Sequence, residues 1–350
     1  MIWLTWRQFR GSAALTAAVL VVLAVTLALT GPGIADGYAA GIADCVPDDT
    51  CGRFFDRFFD DYQTPFMAVT LAVLVLPALV GLFWGAPLVT RELEAGTHLM
   101  VWNQSITRGR WLTVKLVLTG LAAVAAAGVC GLVVTWWSTP LDASAPEGFA
   151  LMDPLVFTAR GIAPMGYAAF AFVLGVTVGM LVRRLLPAMA LTLAVFAVVQ
   201  LAMPLLVRAH LMTPVTATYE LGQPNVDGIG IPRDGARSPE VNLRSAVPGQ
   251  AGAWVLASRL LDPSGRVIAE SGQPGVISLA SSTSGPCAPG GPAGGDSCMA
   301  EINRLGYRQQ ATYQPLDRFW PFQWIETGLY ALLTIGLTWF CYWWLRRRLS

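Results

Sequence analysis

Charge is scarce in this sequence. Of its 350 residues 13% are Asp, Glu, Lys or Arg and 54% are hydrophobic, whereas soluble domains carry roughly 25% charged residues. Lipid is the solvent that suits such a chain. The formal net charge is +1, so no global field points to nucleic acid. Lysine occurs once, as Lys115, and every other basic side chain is arginine. Together with the abundance of Ala, Gly and Pro, this reads as codon usage in a GC-rich genome. Histidine occurs twice, as His98 and His210, which predicted topology puts on opposite sides of a membrane. That leaves no basis for a histidine metal site. There is no phosphate-binding glycine loop ending in Lys-Ser/Thr, no HExxH, no CxxC and no G-x-S-x-G. No catalytic residue and no metal ligand is therefore assigned, and the chain is expected not to be an enzyme.

Long apolar runs are what the sequence does have. A spanning helix needs about 20 mostly apolar residues, and six segments qualify: 13–30, 65–87, 112–137, 161–182, 185–207 and 322–345. The first reads as a retained anchor, because no clean small-residue cleavage site follows it. Residues 1–12 form an amphipathic element with Ile2, Trp3, Trp6 and Phe9 on one face. It is either a basic flank of the first span or an interfacial helix lying along the membrane. Pro77, Pro164, Pro187 and Pro204 lie in or at the ends of spans, where neighbouring helices can cover freed carbonyls. Arg7 and Arg10, then Arg91, Arg108, Arg110 and Lys115, then Arg183 and Arg184, then Arg346 to Arg348 all fall on one side of a six-span count. The positive-inside rule makes that side cytoplasmic, with both termini inside.

Three loops fall on the other side. Loop 31–64 holds seven aspartates, and within it FFDRFFDDY reads as a short surface helix. Loop 138–160 is short. Region 208–321 is long, polar and rich in Gly and Pro, with candidate strands at 254–260 and 266–269 joined by the turn Asp262-Pro263-Ser264-Gly265. A helical turn or two is expected near 299–308. Cys45 with Cys51, and Cys287 with Cys298, fall close together on this oxidising side and are predicted to pair. Cys130 and Cys341 lie inside spans as small apolar residues.

Several polar groups sit near membrane depth and are candidates for a pathway or gate. Glu326 lies just inside the sixth span; the competing reading puts it at headgroup level, bonded to Arg318 or Arg160. Gln200 either lines a pathway or bonds a neighbouring helix. Asp153 and Arg160 flank the approach to the fourth span and either pair locally or meet a substrate.

The stretch 90–115, TRELEAGTHLMVWNQSITRGRWLTVK, is the richest. Thr90 to Glu94 continue the second span. Gly96 can end that helix with a left-handed cap. Thr97 suits the start of a short helix through about Gln104. Ser105 and Thr107 can cap the third span. Leu99, Met100, Val101 and Trp102 are too apolar to face water freely; they want a protein groove or lipid headgroups.

Arg91, Glu92, Glu94, Gly96, Thr97, Ser105, Arg108 and Lys115, placed between spans two and three, resemble the hairpin of ABC-2 type transmembrane subunits. YQPLDRFWPFQWIETGLY with its basic tail, and ARGIAPMGYAAFAFVLG, resemble the ABC transporter permeases common in actinobacteria. The resemblance implies a coupling helix, centred on Leu99 and Trp102, that docks on a separate ABC ATPase subunit carrying the ATP and Mg. It also implies a second permease subunit, identical or not, an N-terminal elbow helix, and export as the usual direction.

The expected fold is an all-α integral membrane protein with six transmembrane helices, an N-terminal amphipathic helix and a small mixed extracytoplasmic loop domain. Residues 1–207 would hold spans one to five and the hairpin 90–111; 208–321 the outer region; 322–350 the last span and basic tail. The expected function is a permease subunit coupling a partner's ATP hydrolysis to translocation. The alternative is a membrane sensor whose outer loop binds a ligand and whose hairpin recruits a partner that is not an ATPase. Membrane lipid is an expected partner under either reading.

Overall fold

The computed structural model describes residues 2–44, 51–96, 107–146, 148–230, 239–278, 287 and 294–348. The chain divides into two compact units: Met1–Ser144 with Pro154–Leu211 and Trp320–Ser350, and Ala145–Asp153 with Met212–Phe319.

The first unit is helical. Helix α1 runs Ile2–Asp44 and α2 Cys51–Val80. A single π-helical turn, Gly81–Gly85, joins α2 to α3, Ala86–Glu94. Then come α4, Arg108–Ser144; the short α5, Pro154–Thr158; α6, Ala163–Val182; and α7, Leu185–Ala202. After a second π turn, Met203–Val207, and a 3-10 turn, Arg208–His210, the chain leaves this unit. It returns in α9, Phe319–Arg348. Among the described residues six helices are long and apolar enough to cross a membrane, and they contain all six predicted spans except residues 161 and 162. Their outer faces are apolar: Leu29 and Leu186 are each 78% exposed and Trp339 69%. In water such a surface would aggregate; in lipid it is the natural boundary.

Two predicted boundaries differ from the observed ones. The amphipathic segment 1–12 is not a separate element, because α1 continues from Ile2 through Gly11 and Pro32 to Asp44. One glycine costs a helix about 1 kcal/mol and does not break it. At about 1.5 Å per residue its 43 residues reach roughly 65 Å, twice a hydrocarbon core of ~30 Å. Likewise FFDRFFDDY is no detached surface helix but the first turns of α2. Its aromatics explain why: Phe54 and Phe58 meet Tyr38 of α1 at 6.3 and 5.5 Å between ring centroids, so this segment packs on α1 as part of α2.

Helix α6 is the centre of this unit, buried along nearly its whole length and packed against α2, α3, α4 and α7. Close approach depends on glycine. Gly81 and Gly85 face Gly175 of α6, where an added Cβ would stand 2.5 Å from the Gly81 carbonyl oxygen, and Gly179 faces Ala86 and Thr90 of α3. Small residues four apart let membrane helices touch backbone to backbone.

The second unit is built on two antiparallel sheets. One has the order β1-β7-β4-β5, with β1 Val215–Tyr219, β7 Arg308–Gln314, β4 Trp254–Leu261 and β5 Val267–Glu270. The other is β2-β3-β6, with β2 Val226–Gly230, β3 Glu240–Leu243 and β6 Pro274–Val276. The predicted turn closes β4 onto β5: Asp262 Oδ1 accepts the Ser264 and Arg266 backbone N–H groups, each at 2.9 Å, and Gly265 takes φ +81°. Helix α8, Gly294–Arg304, buries Ile302 against Val241, Leu243 and Leu260. Cys298 on α8 is joined to Cys287 by a disulfide. Cys51 is also disulfide-bonded; its expected partner, Cys45, lies outside the described residues.

Candidate functional site

Two polar clusters are built into the helical unit, at opposite ends of its spans. The first sits at the base of the 90–115 hairpin. Helix α3 ends at Glu94, with Gly96 at φ +69° as the sequence led one to expect. Helix α4 begins at Arg108, where the Thr107 hydroxyl accepts the Arg110 backbone N–H at 3.4 Å. Two carboxylates on α3 tie this base to its neighbours. Glu92 meets α4: Lys115 Nζ lies 2.5 Å from Glu92 Oε1 and 3.1 Å from the Leu88 carbonyl, and Trp111 Nε1 donates to Glu92 Oε2 at 3.2 Å. The same ammonium lies 4.9 Å from the centroid of the Trp111 ring. Glu94 meets α7: its Oε2 accepts the Leu185 backbone N–H at 3.3 Å. That N–H belongs to the first turn of α7, which lacks intrahelical partners and attracts negative charge. The tight reversal before it is made by Arg183 at φ 57°.

The second cluster lies where α6 begins. Arg208, at the end of the second π turn, is fully buried. Its Nε and Nη2 donate to the two oxygens of Glu326 on α9 at 2.8 and 2.9 Å. Tyr167 of α6 donates to Glu326 Oε1 at 2.5 Å, and the guanidinium lies 4.2 Å from the Phe157 ring centroid. One helical turn earlier on α9, Gln323 Oε1 accepts the Ile162 and Ala163 N–H groups. Gln200 of α7 accepts the Tyr330 hydroxyl at 3.2 Å, the interhelical bond that was one of its two expected roles. Beside these lies Arg160, whose Nη1 donates to Thr70 of α2 at 3.3 Å and whose Nη2 is 3.6 Å from Asp142 of α4.

The structure therefore corrects two expected pairings. Glu326 is bonded to Arg208, and not to Arg318 or Arg160; Arg318 instead donates to the Thr213 carbonyl and to Gln314. Arg160 pairs with Asp142, while Asp153 accepts the Ala150 backbone N–H at 2.8 Å. Burial pushes the Asp153 carboxyl up to about 6, against the pull of that N–H. Of the hairpin residues, Arg91, Glu92 and Glu94 lie in the last turns of α3, Gly96 follows its end and Arg108 opens α4; Thr97, Leu99, Trp102 and Ser105 lie outside the described residues. Sequence reasoning missed Arg208, Asp142, Tyr167 and Tyr330. Arg208 and Glu326 are 118 positions apart, and no spacing rule connects them. Asp142 and Arg160 offered a signal, an acid and a base flanking one short connection between spans.

Among the described residues no group of three or more His, Cys, Asp or Glu side chains is placed to hold a metal. What the two clusters do is join helices. Those at the hairpin link α3 to α4 and to the start of α7; those at the other end link α6, α7 and α9.

Comparison with known proteins agrees with a transport role. No curated protein and no solved structure matches the chain. A family described as "ABC-2 membrane transporter related" matches residues 17–208, more than half of the chain and the stretch that holds five of the six long apolar helices. With its helical unit and hairpin base in place, the chain belongs to the ABC-2 membrane transporter related family, a multi-pass membrane protein of the permease type.

Proposed function

We propose that this chain is the membrane subunit of an ATP-driven exporter and that it receives force from a separate ATPase through the 97–104 segment. The observation that carries the reading is the anchoring of the hairpin base. Glu92 binds it to α4 and Glu94 binds it to the start of α7, so a push on the hairpin reaches three spans at once. A plain surface loop has no use for a buried lysine and an N-terminal cap held in common. Leu99 and Trp102 are the docking side chains, Gly96 and Thr97 set the break, and Ser105 and Arg108 close the hairpin.

The remaining features fit the same scheme. The arginine clusters put the hairpin and both termini on the cytoplasmic side. ATP and Mg bind the partner, and this chain performs no bond chemistry. A second permease subunit completes the path. Gln200, Glu326, Asp153 and Arg160 are the candidates for pathway or gate, and family resemblance favours export.

The test is co-expression with an ATPase encoded beside the gene and purification in lipid nanodiscs. The proposal expects a stable complex whose ATP hydrolysis depends on this chain. A chain that purifies with a different cytoplasmic partner, and leaves the ATPase behind, would overturn it and favour the sensor reading.

A further inference from the structure

Among the described residues of the helical unit, Arg160 has the most buried polar atoms without a hydrogen-bond partner. It is fully buried, and the Asp142 side chain is 7% exposed. Yet among the described residues Arg160 Nε, Arg160 Nη2 and Asp142 Oδ1 have no hydrogen-bond partner. The other atoms of the pair are engaged: Nη1 donates to Thr70, and Asp142 Oδ2 accepts the Ser138 hydroxyl at 2.7 Å. Nε and Nη2 present their N–H groups along one edge of the planar guanidinium, the edge that matches a two-pronged acceptor. In Arg208 that same edge is filled by both oxygens of Glu326. In Arg160 it faces a single carboxylate oxygen 3.6 Å away, too far for a hydrogen bond.

Two donors and one acceptor thus converge in a buried place. Leaving each of them unmade is costly. The ligand that answers them must accept twice and donate once. A carboxylate or phosphate would be repelled by Asp142, and an ammonium by Arg160. A neutral hydroxyl oxygen meets all three demands and adds no charge; buried waters typically make about three such bonds. We infer that Arg160 and Asp142 form a binding site for one neutral hydroxyl oxygen, either water or the hydroxyl of a larger polar molecule, held between α2, α4 and the turn into α6.

High-resolution cryo-electron microscopy of the full chain in nanodiscs, with radical footprinting in isotopically labelled water, tests this. Density within hydrogen-bond reach of Arg160 Nε, Arg160 Nη2 and Asp142 Oδ1 is expected. If the oxygen is water, the density is a single peak and Phe66, whose buried ring lies 4.9 Å from the guanidinium, acquires the label. If it belongs to a larger molecule, the density is extended and Phe66 stays unlabelled. Arg160→Lys, which keeps the charge and lacks the two-pronged edge, is expected to lose the density while Arg208 and Glu326 keep theirs. Direct closure of the Arg160 edge onto Asp142 or another protein group, with no density between, would overturn the site.

Discussion

The two ends of the helical unit hold their charges in opposite ways. At the start of α6, Arg208 and Glu326 are both 0% exposed and share two hydrogen bonds; at the hairpin base, Lys115 is 4% exposed and Glu92 13%, and Glu94 is open to solvent. Buried charges with one partner removed are left uncompensated, whereas a carboxylate near water is rehydrated when its partner goes. Loss of one member of the Arg208–Glu326 pair is therefore expected to cost more stability than loss of one carboxylate at the hairpin base.

The largest effect should come from breaking the closed end. Glu326→Ala is expected to cost about 3–5 kcal/mol, read as a fall in the thermal midpoint of the detergent-solubilised protein. Arg208→Met combined with Glu326→Leu should recover most of it, since volume is kept and no charge is stranded. If Glu326→Ala lowers the midpoint no more than Glu92→Ala does, the contrast between the ends is wrong.

The hairpin base comes next. Glu92→Ala leaves the Lys115 ammonium, among the described residues, with the Leu88 carbonyl and the Trp111 ring, and should cost roughly 1–3 kcal/mol. Lys115→Met in the same chain should reduce that loss. Glu94→Gln retains an acceptor for the Leu185 N–H but gives up the charge at the start of α7, a change of about 0.3–1 kcal/mol. Both are measured in the same thermal assay. The comparison sharpens if the order Glu326, Glu92, Glu94 holds.

Asp153, in the other unit, sets the lower bound: a carboxylate whose shift comes chiefly from burial, offset in part by the Ala150 and Gly148 backbone N–H groups. Its folded value, about 6, lies above the ordinary carboxylate value near 4. The folded form therefore holds its proton more tightly, and this contribution to stability is full below about pH 4 and is lost as pH rises through about 6. Asp153→Asn should flatten the slope between those limits, with the Ala150 bond retained; an unchanged slope in pH-dependent unfolding would show that another group causes it.

Much of the framework was legible because lipid imposes strict rules. Span length and composition locate all six long helices, and Asp262 to Gly265 announces its own turn. Gly96 reads as a helix end because only glycine takes φ +69° at little cost. What was not legible is long-range. Nothing local tells Glu326 that its partner is Arg208 and not the nearer Arg318. The meeting of Gly81 and Gly85 with Gly175, and of Thr90 with Gly179, depends on which helices become neighbours. The continuity of α1 and the early start of α2 escaped for a related reason: Asp-rich segments look like loops until the aromatic contacts of Tyr38 with Phe54 and Phe58 are seen.

The central claim is that the hairpin transmits force, and one measurement addresses it directly. Trp102→Glu, introduced into the chain reconstituted in liposomes with the proposed partner ATPase, places charge on the proposed docking face. The ATPase rate and the thermal midpoint are measured together. The account expects hydrolysis to fall to the level of the ATPase alone while the midpoint matches wild type. Hydrolysis that stays at the wild-type rate, in a complex that still contains both subunits, would contradict it.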